Sequence, residues 1–128
     1  MNELLILRHG KSDWKTGETD FYRPLKDRGK RNAQQIGSWI LQQNLQPDII
    51  ISSPAIRAFT TAEKASKAMG KDTSLIQTVQ AVYAAGLGDL LHVLSKVSVK
   101  HKRVMLVGHN PGLEDLLLYL AKNVDIPD

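Results

Sequence analysis

The chain has 128 residues, 42% hydrophobic and 23% charged, with no cysteine and a formal net charge of +4. This suits one folded domain and excludes a disordered chain, a disulfide scaffold, a thiolate nucleophile and a thiolate metal site. No apolar run approaches the ~20 residues that cross a bilayer, residues 4–7 are too short for a signal-peptide core, and 5% aromatics argue against a base-stacking surface, so the expectation is a cytoplasmic protein with neither membrane nor nucleic acid as partner.

Apolar runs alternate with helical patterns along the chain. The first run, residues 4–7, is broken by Arg8-His9-Gly10. Residues 10–29 read as a loop. A helical face follows at Ala33, Ile36, Gly37, Ile40 and Leu41, ending near residues 44–47. The second run, residues 49–51, is broken by Ser52-Ser53-Pro54. Next comes a helix with Ala55, Ala58, Phe59, Ala62, Ala65 and Met69 on one side, Ser53 as its N-cap, Pro54 at its first position and Gly70 as its stop. Residues 70–88 read as a loop that holds a weaker strand candidate at 75–79. A third helix carries Leu90, Leu91, Leu94 and Val97, with Asp89 near its start. The third clear run, residues 104–107, is broken by Gly108-His109-Asn110-Pro111, and a last helix runs from Pro111 to about Lys122, capped by Asn110. Short buried strands alternating with helices predict an α/β fold, a three-layer sandwich around a mostly parallel sheet.

Ligands of open α/β sheets bind beyond the carboxyl ends of the strands. Here those ends deliver Arg8 and His9, then Ser52, Ser53 and Arg57, then Gly108, His109 and Asn110. An Arg-His pair after a strand is ordinarily a surface or capping feature, and a lone Arg on a helix is ordinarily solvated. The coincidence of all three segments at one edge argues for a site. Two guanidinium forks suit a dianionic tetrahedral group, and an imidazole among them can act as nucleophile or spectator. Two His without a carboxylate cluster disfavour Zn²⁺, Mg²⁺ and Ca²⁺. No Gly-rich phosphate loop occurs, and Gly86-Leu87-Gly88 lacks a third glycine. His92 and His101 read as solvated, and Lys26, Arg28, Lys30 and Arg31 as a charged helix start. Trp14, Phe21 and Tyr22 either line a pocket or pack a loop.

Leu7-Arg8-His9-Gly10-Lys11-Ser12 resembles the Arg-His-Gly signature of the histidine phosphatase superfamily, which includes phosphoglycerate mutases. Residues 52–58 resemble its second motif and residues 107–111 its third. Tyr22-Arg23-Pro24-Leu25, followed by Gly29 and a helix, is most similar to the SixA-type phosphohistidine phosphatases. The resemblance implies a phosphoglycerate mutase-like fold, His9 as the nucleophile that becomes phosphorylated, and Arg8, Arg57 and His109 as holders of the phosphoryl oxygens. Ser12 and Arg23 join as substrate-binding residues, Arg23 either at the phosphate rim or bracing the loop. No cofactor or metal is implied.

Larger superfamily members carry a Glu or Asp that protonates the leaving oxygen. The corresponding residues 82–86 hold no carboxylate, which leaves Asp13, Asp20 and Asp89 as groups that could fold in. A phosphoramidate has a better leaving group than an ester, so the expected substrate is phosphohistidine on a signalling or phosphocarrier protein, met in a shallow pocket. A phosphomonoesterase or mutase on a small metabolite, and a non-catalytic phosphate-binding module, are the alternatives. SixA-type relatives continue past the third-motif helix into further strand. The expectation is one domain over 1–128, with a sheet short of its last strand or strands as an open alternative.

Overall fold

The computed structural model describes residues 1–9 and 17–122. Four strands form one sheet: β1 (Glu3–Arg8), β2 (Ile49–Ser52), β3 (Ile76–Thr78) and β4 (Arg103–Gly108). All pair parallel, in the order β1-β4-β2-β3. The three clear apolar runs are thus β1, β2 and β4, and the weaker candidate is β3. The register sets Arg8 opposite Gly108 and Ser52 opposite Val107, so β1, β4 and β2 finish along one line.

Side chains alternate across the sheet, and both faces are covered. Ile50, Met105, Val107 and Leu7 pack against α1 (Asp27–Gln42) and α2 (Ile56–Ala68) through Ile40, Ala58, Ala62, Ala65 and Met69. Ile49, Ile51, Val104 and Leu106 pack against α3 (Leu87–Ser95) and α4 (Gly112–Lys122) through Leu90, Val93, Leu94, Leu113 and Leu116. The result is the expected three-layer sandwich.

Small residues let α1 approach α2 closely. A Cβ built on Gly37 would stand 2.3 Å from the Ala65 carbonyl oxygen, so only glycine fits. That approach narrows the buried face of α1 to Gly29, Ala33, Gly37 and Ile40, while Ile36 and Leu41, expected inside, are 37% and 45% exposed.

Helix starts differ from the sequence expectation for definable reasons. α2 begins after Ala55, not at Pro54, because the ladder continues through Ser53, whose N–H bonds the Val107 carbonyl at 3.0 Å. Ser53 Oγ accepts the Ala55 N–H at 3.2 Å, ahead of the helix. α4 begins at Gly112, after a cis Asn110-Pro111 bond. The Asn110 amide donates to Glu114 at 3.1 Å, while the Leu113 N–H turns back to the His109 carbonyl. The segments expected as loops also contain short order: 3-10 turns at Asp20–Tyr22, Thr73–Leu75 and Gln80–Val82, and the first residues of α1 and α3.

Candidate active site

The carboxyl edge of the sheet carries the site. β1 ends in Arg8, and the His9 N–H extends the ladder to the Gly108 carbonyl at 3.3 Å. β4 ends in Gly108 and delivers His109 beside it. The His9 and His109 ring centroids are 5.0 Å apart. Arg57, in the first turn of α2 and 7% exposed, reaches across from β2 and donates through Nε to His9 Nε2 at 3.3 Å. That donation makes His9 Nε2 an acceptor, with its lone pair unprotonated and the ring hydrogen on Nδ1.

Asp20 joins from the turn after β1. Its carboxylate accepts from Arg57 Nη2 at 3.0 Å, from Arg23 Nη1 at 3.0 Å and from the Tyr83 hydroxyl at 2.5 Å. Its backbone carbonyl also accepts from Arg57 Nη1. The Tyr83 hydrogen bond, with Arg57 and Arg23 beside it, holds the Asp20 carboxyl below the ordinary carboxylate value. The same bond raises the Tyr83 phenol and keeps it a donor. The buried charge of Arg57 is thereby matched, as a buried guanidinium requires.

His109 is held by Ser53, whose Oγ lies 2.8 Å from Nε2. Its Nδ1 is buried and has no hydrogen-bond partner among the described residues. Burial foremost, with the Arg57 guanidinium adding to it, lowers its pKa to about 4. His109 is a neutral imidazole at pH 7. A cavity of about 490 Å³ opens here, lined by Asp20, Arg57, Tyr83, His109 and the Ala84-Ala85-Gly86 rim. The rim stands close to α4: a Cβ on Gly112 would meet the Ala85 carbonyl oxygen at 2.3 Å.

His9, Arg57 and His109 are therefore brought together. Arg23 is buried and reaches the group through Asp20. Arg8 ends β1 with an exposed side chain, and His9 beside it is half-buried. Ser12, with Asp13 and Trp14, lies outside the described residues. Phe21 packs edge-on against Tyr83 and Tyr22, with centroids 5.2 and 5.1 Å apart, which braces the turn that carries Asp20. Of the carboxylates that could fold in, Asp20 does so, whereas Asp89 caps α3 by accepting the Gly86 N–H at 3.0 Å. His92 is exposed, but His101 is half-buried, not fully solvated as expected. Both line a separate groove beside α3.

Sequence reasoning missed Tyr83, and it placed Ser53 at a helix cap and not at His109. Neither residue type carries a signal of its own. Among the described residues, no group of three or more His, Asp or Glu is arranged to hold a metal, and no helix is long and apolar enough to cross a membrane.

Residues 4–82 match the histidine phosphatase superfamily (branch 1). An uncharacterized protein of Mycobacterium tuberculosis is 30% identical over 115 residues, which cover 90% of this chain and 70% of that protein. A 2,3-bisphosphoglycerate-dependent phosphoglycerate mutase of Mycobacterium leprae is 40% identical over 67 residues, 48% of this chain and 26% of the mutase. Among solved structures, a candidate phosphohistidine phosphatase SixA from Agrobacterium tumefaciens superposes with a TM-score of 0.81 at 32% identity, covering 91% of this chain and 75% of its own. The protein histidine phosphatase SixA complexed with tungstate gives 0.79 at 20% identity, over 89% and 73%, a likeness of fold. With more than half of its length matched and its four-stranded parallel sandwich shared with these structures, the chain belongs to branch 1 of the histidine phosphatase superfamily.

Proposed function

We propose that this chain is a phosphatase that works through a phosphohistidine intermediate on His9 and removes phosphate from phosphohistidine on a signalling or phosphocarrier protein. The observation that carries the reading is the unprotonated His9 Nε2 beside the buried Arg57 fork, with a neutral His109 5.0 Å away. In the first step His9 Nε2 attacks phosphorus in line, the new N–P bond forms and the bond to the leaving group breaks. Arg57 and His109 take the equatorial oxygens as charge redistributes, with Arg8, Ser12 and Arg23 as further holders of the phosphoryl group. In the second step water attacks, the His9 N–P bond breaks and inorganic phosphate leaves. The guanidinium supplies the positive charge that a metal supplies elsewhere, and the neutral His109 imidazole contributes an N–H donor. The Ala84-Ala85-Gly86 rim bears no bulky side chain, so the surface of a folded partner can approach.

Phosphoenzyme trapping tests this. Brief incubation with a labelled phosphodonor should leave an acid-labile, base-stable label on the wild type and none on His9→Ala, which should keep its circular dichroism spectrum. A wild-type protein that binds phosphate yet takes no label and turns over no phosphodonor overturns the reading.

A further inference from the structure

The cavity at the sheet edge contains a carboxylate. Asp20 lines it together with Arg57 and His109, and its side chain is 49% exposed. Arg57 spends Nη1 on the Asp20 carbonyl, Nη2 on the Asp20 carboxylate and Nε on His9. Arg23 and Tyr83 hold the same carboxylate from other sides. A negative group fixed at this place repels a phosphoryl dianion and any anionic leaving group. It is favourable only where the departing group brings a positive charge or an N–H to that side of the cavity.

A phosphorylated imidazole does so. One ring nitrogen is bonded to phosphorus and the other can carry a proton. With that distal nitrogen protonated, the ring leaves as neutral imidazole; without it, the ring must leave as a strongly basic anion. We propose that Asp20 selects the leaving group: its carboxylate accepts a hydrogen bond from the distal ring N–H of the substrate phosphohistidine and keeps that nitrogen protonated through the transfer. The bond between phosphorus and the substrate ring nitrogen breaks, with its electron pair going to that ring. The bond from His9 Nε2 to phosphorus forms, and the distal proton stays where it was. No proton passes through Asp20. An alkyl phosphate, which leaves as an alkoxide, finds no proton on this carboxylate and is disfavoured. The inference rests on the phosphatase reading and specifies its substrate class.

The test compares kcat/KM for a phosphohistidine peptide and for p-nitrophenyl phosphate, whose leaving group needs no proton. In Asp20→Asn the ratio of the two should fall roughly ten- to hundredfold, the effect of losing one charge-assisted hydrogen bond. Asp20→Glu should restore part of it. The pH profile of Asp20→Asn on the peptide should move to lower pH, where the ring holds its proton unaided, while that on the nitrophenyl ester should not. An unchanged ratio, whether both activities drop or neither does, makes Asp20 only a brace for Arg57 and overturns the inference. A wild type that labels His9 and cleaves the ester but not the peptide also overturns it, leaving the phosphatase standing. Absence of the His9 label would instead remove the reading beneath it.

Discussion

At the residue scale, the Arg57 guanidinium decides what the site can hold. It is buried at the carboxyl edge, with its fork matched to His9 and Asp20. A phosphoryl group that meets the remaining N–H groups of that fork gains a preorganised charge clamp. Arg57→Ala should therefore cost about 3 kcal/mol in transition-state stabilisation, more than a hundredfold in kcat on p-nitrophenyl phosphate. Near wild-type turnover would show that the clamp lies elsewhere. His109 makes a second residue-scale prediction. The unfolded chain takes up this proton near 6.5, whereas the folded ring takes it up only at about 4. Between those values the unfolded state binds more protons, so stability is fully present above 6.5 and falls as pH drops through the window. Water at the cavity screens part of the effect, and the expected loss is about 1–2 kcal/mol. Urea denaturation at pH 7 and about pH 4.5 checks it: His109→Gln should lack this component. Asp20 does not confuse the comparison, because its depressed carboxyl loses its contribution only below the ordinary value of 3.8.

At the scale of elements, close backbone approach is what positions the site. α2 carries Arg57, and α1 holds α2 in place through the Gly37–Ala65 contact. Gly37→Ala would gain helix propensity on an isolated helix, but here the added carbon meets a backbone oxygen that cannot move freely. The expected net loss is about 1–3 kcal/mol, read as a lowered urea midpoint. Gly88→Ala is the matching control, since nothing lies within 4 Å of the added carbon and α3 should gain up to about 1 kcal/mol. The opposite edge of the sheet is tied differently. Asp48 accepts the Lys102 and Arg103 N–H groups at 2.7 and 2.9 Å, and those backbone bonds hold its carboxyl below the usual range. This fixes the start of β2 against the start of β4, and hence the register that aligns Ser53 with His109 at the far end.

At the scale of the whole molecule, two apolar layers clamp one sheet, and the strand ends that carry the site grow out of that core. Leu106 lies in the central strand β4 and is fully buried on the α3–α4 side. Leu106→Ala should cost about 2–5 kcal/mol of stability by urea denaturation. A cost below 1 kcal/mol would mean that this layer contributes little to the fold.

The sequence by itself determined the α/β class, three of the four strands and the residues waiting at their ends. Branched apolar runs cut off by Arg-His-Gly, Ser-Ser-Pro and Gly-His-Asn-Pro can be read locally, because burial on both faces leaves a continuous apolar run. Tertiary structure decided the rest. Strand order put β4 between β1 and β2, which made neighbours of His9, His109 and Arg57. The turn at residues 20–22 carried Asp20 into the cavity, and the 80–86 segment brought Tyr83 to meet it. Those partners come from segments far apart along the chain, and an aspartate or a tyrosine in a loop looks the same whether it faces water or a buried guanidinium. The helix starts shifted for a related reason: a ladder bond from Ser53 to another strand outweighed its local preference for capping.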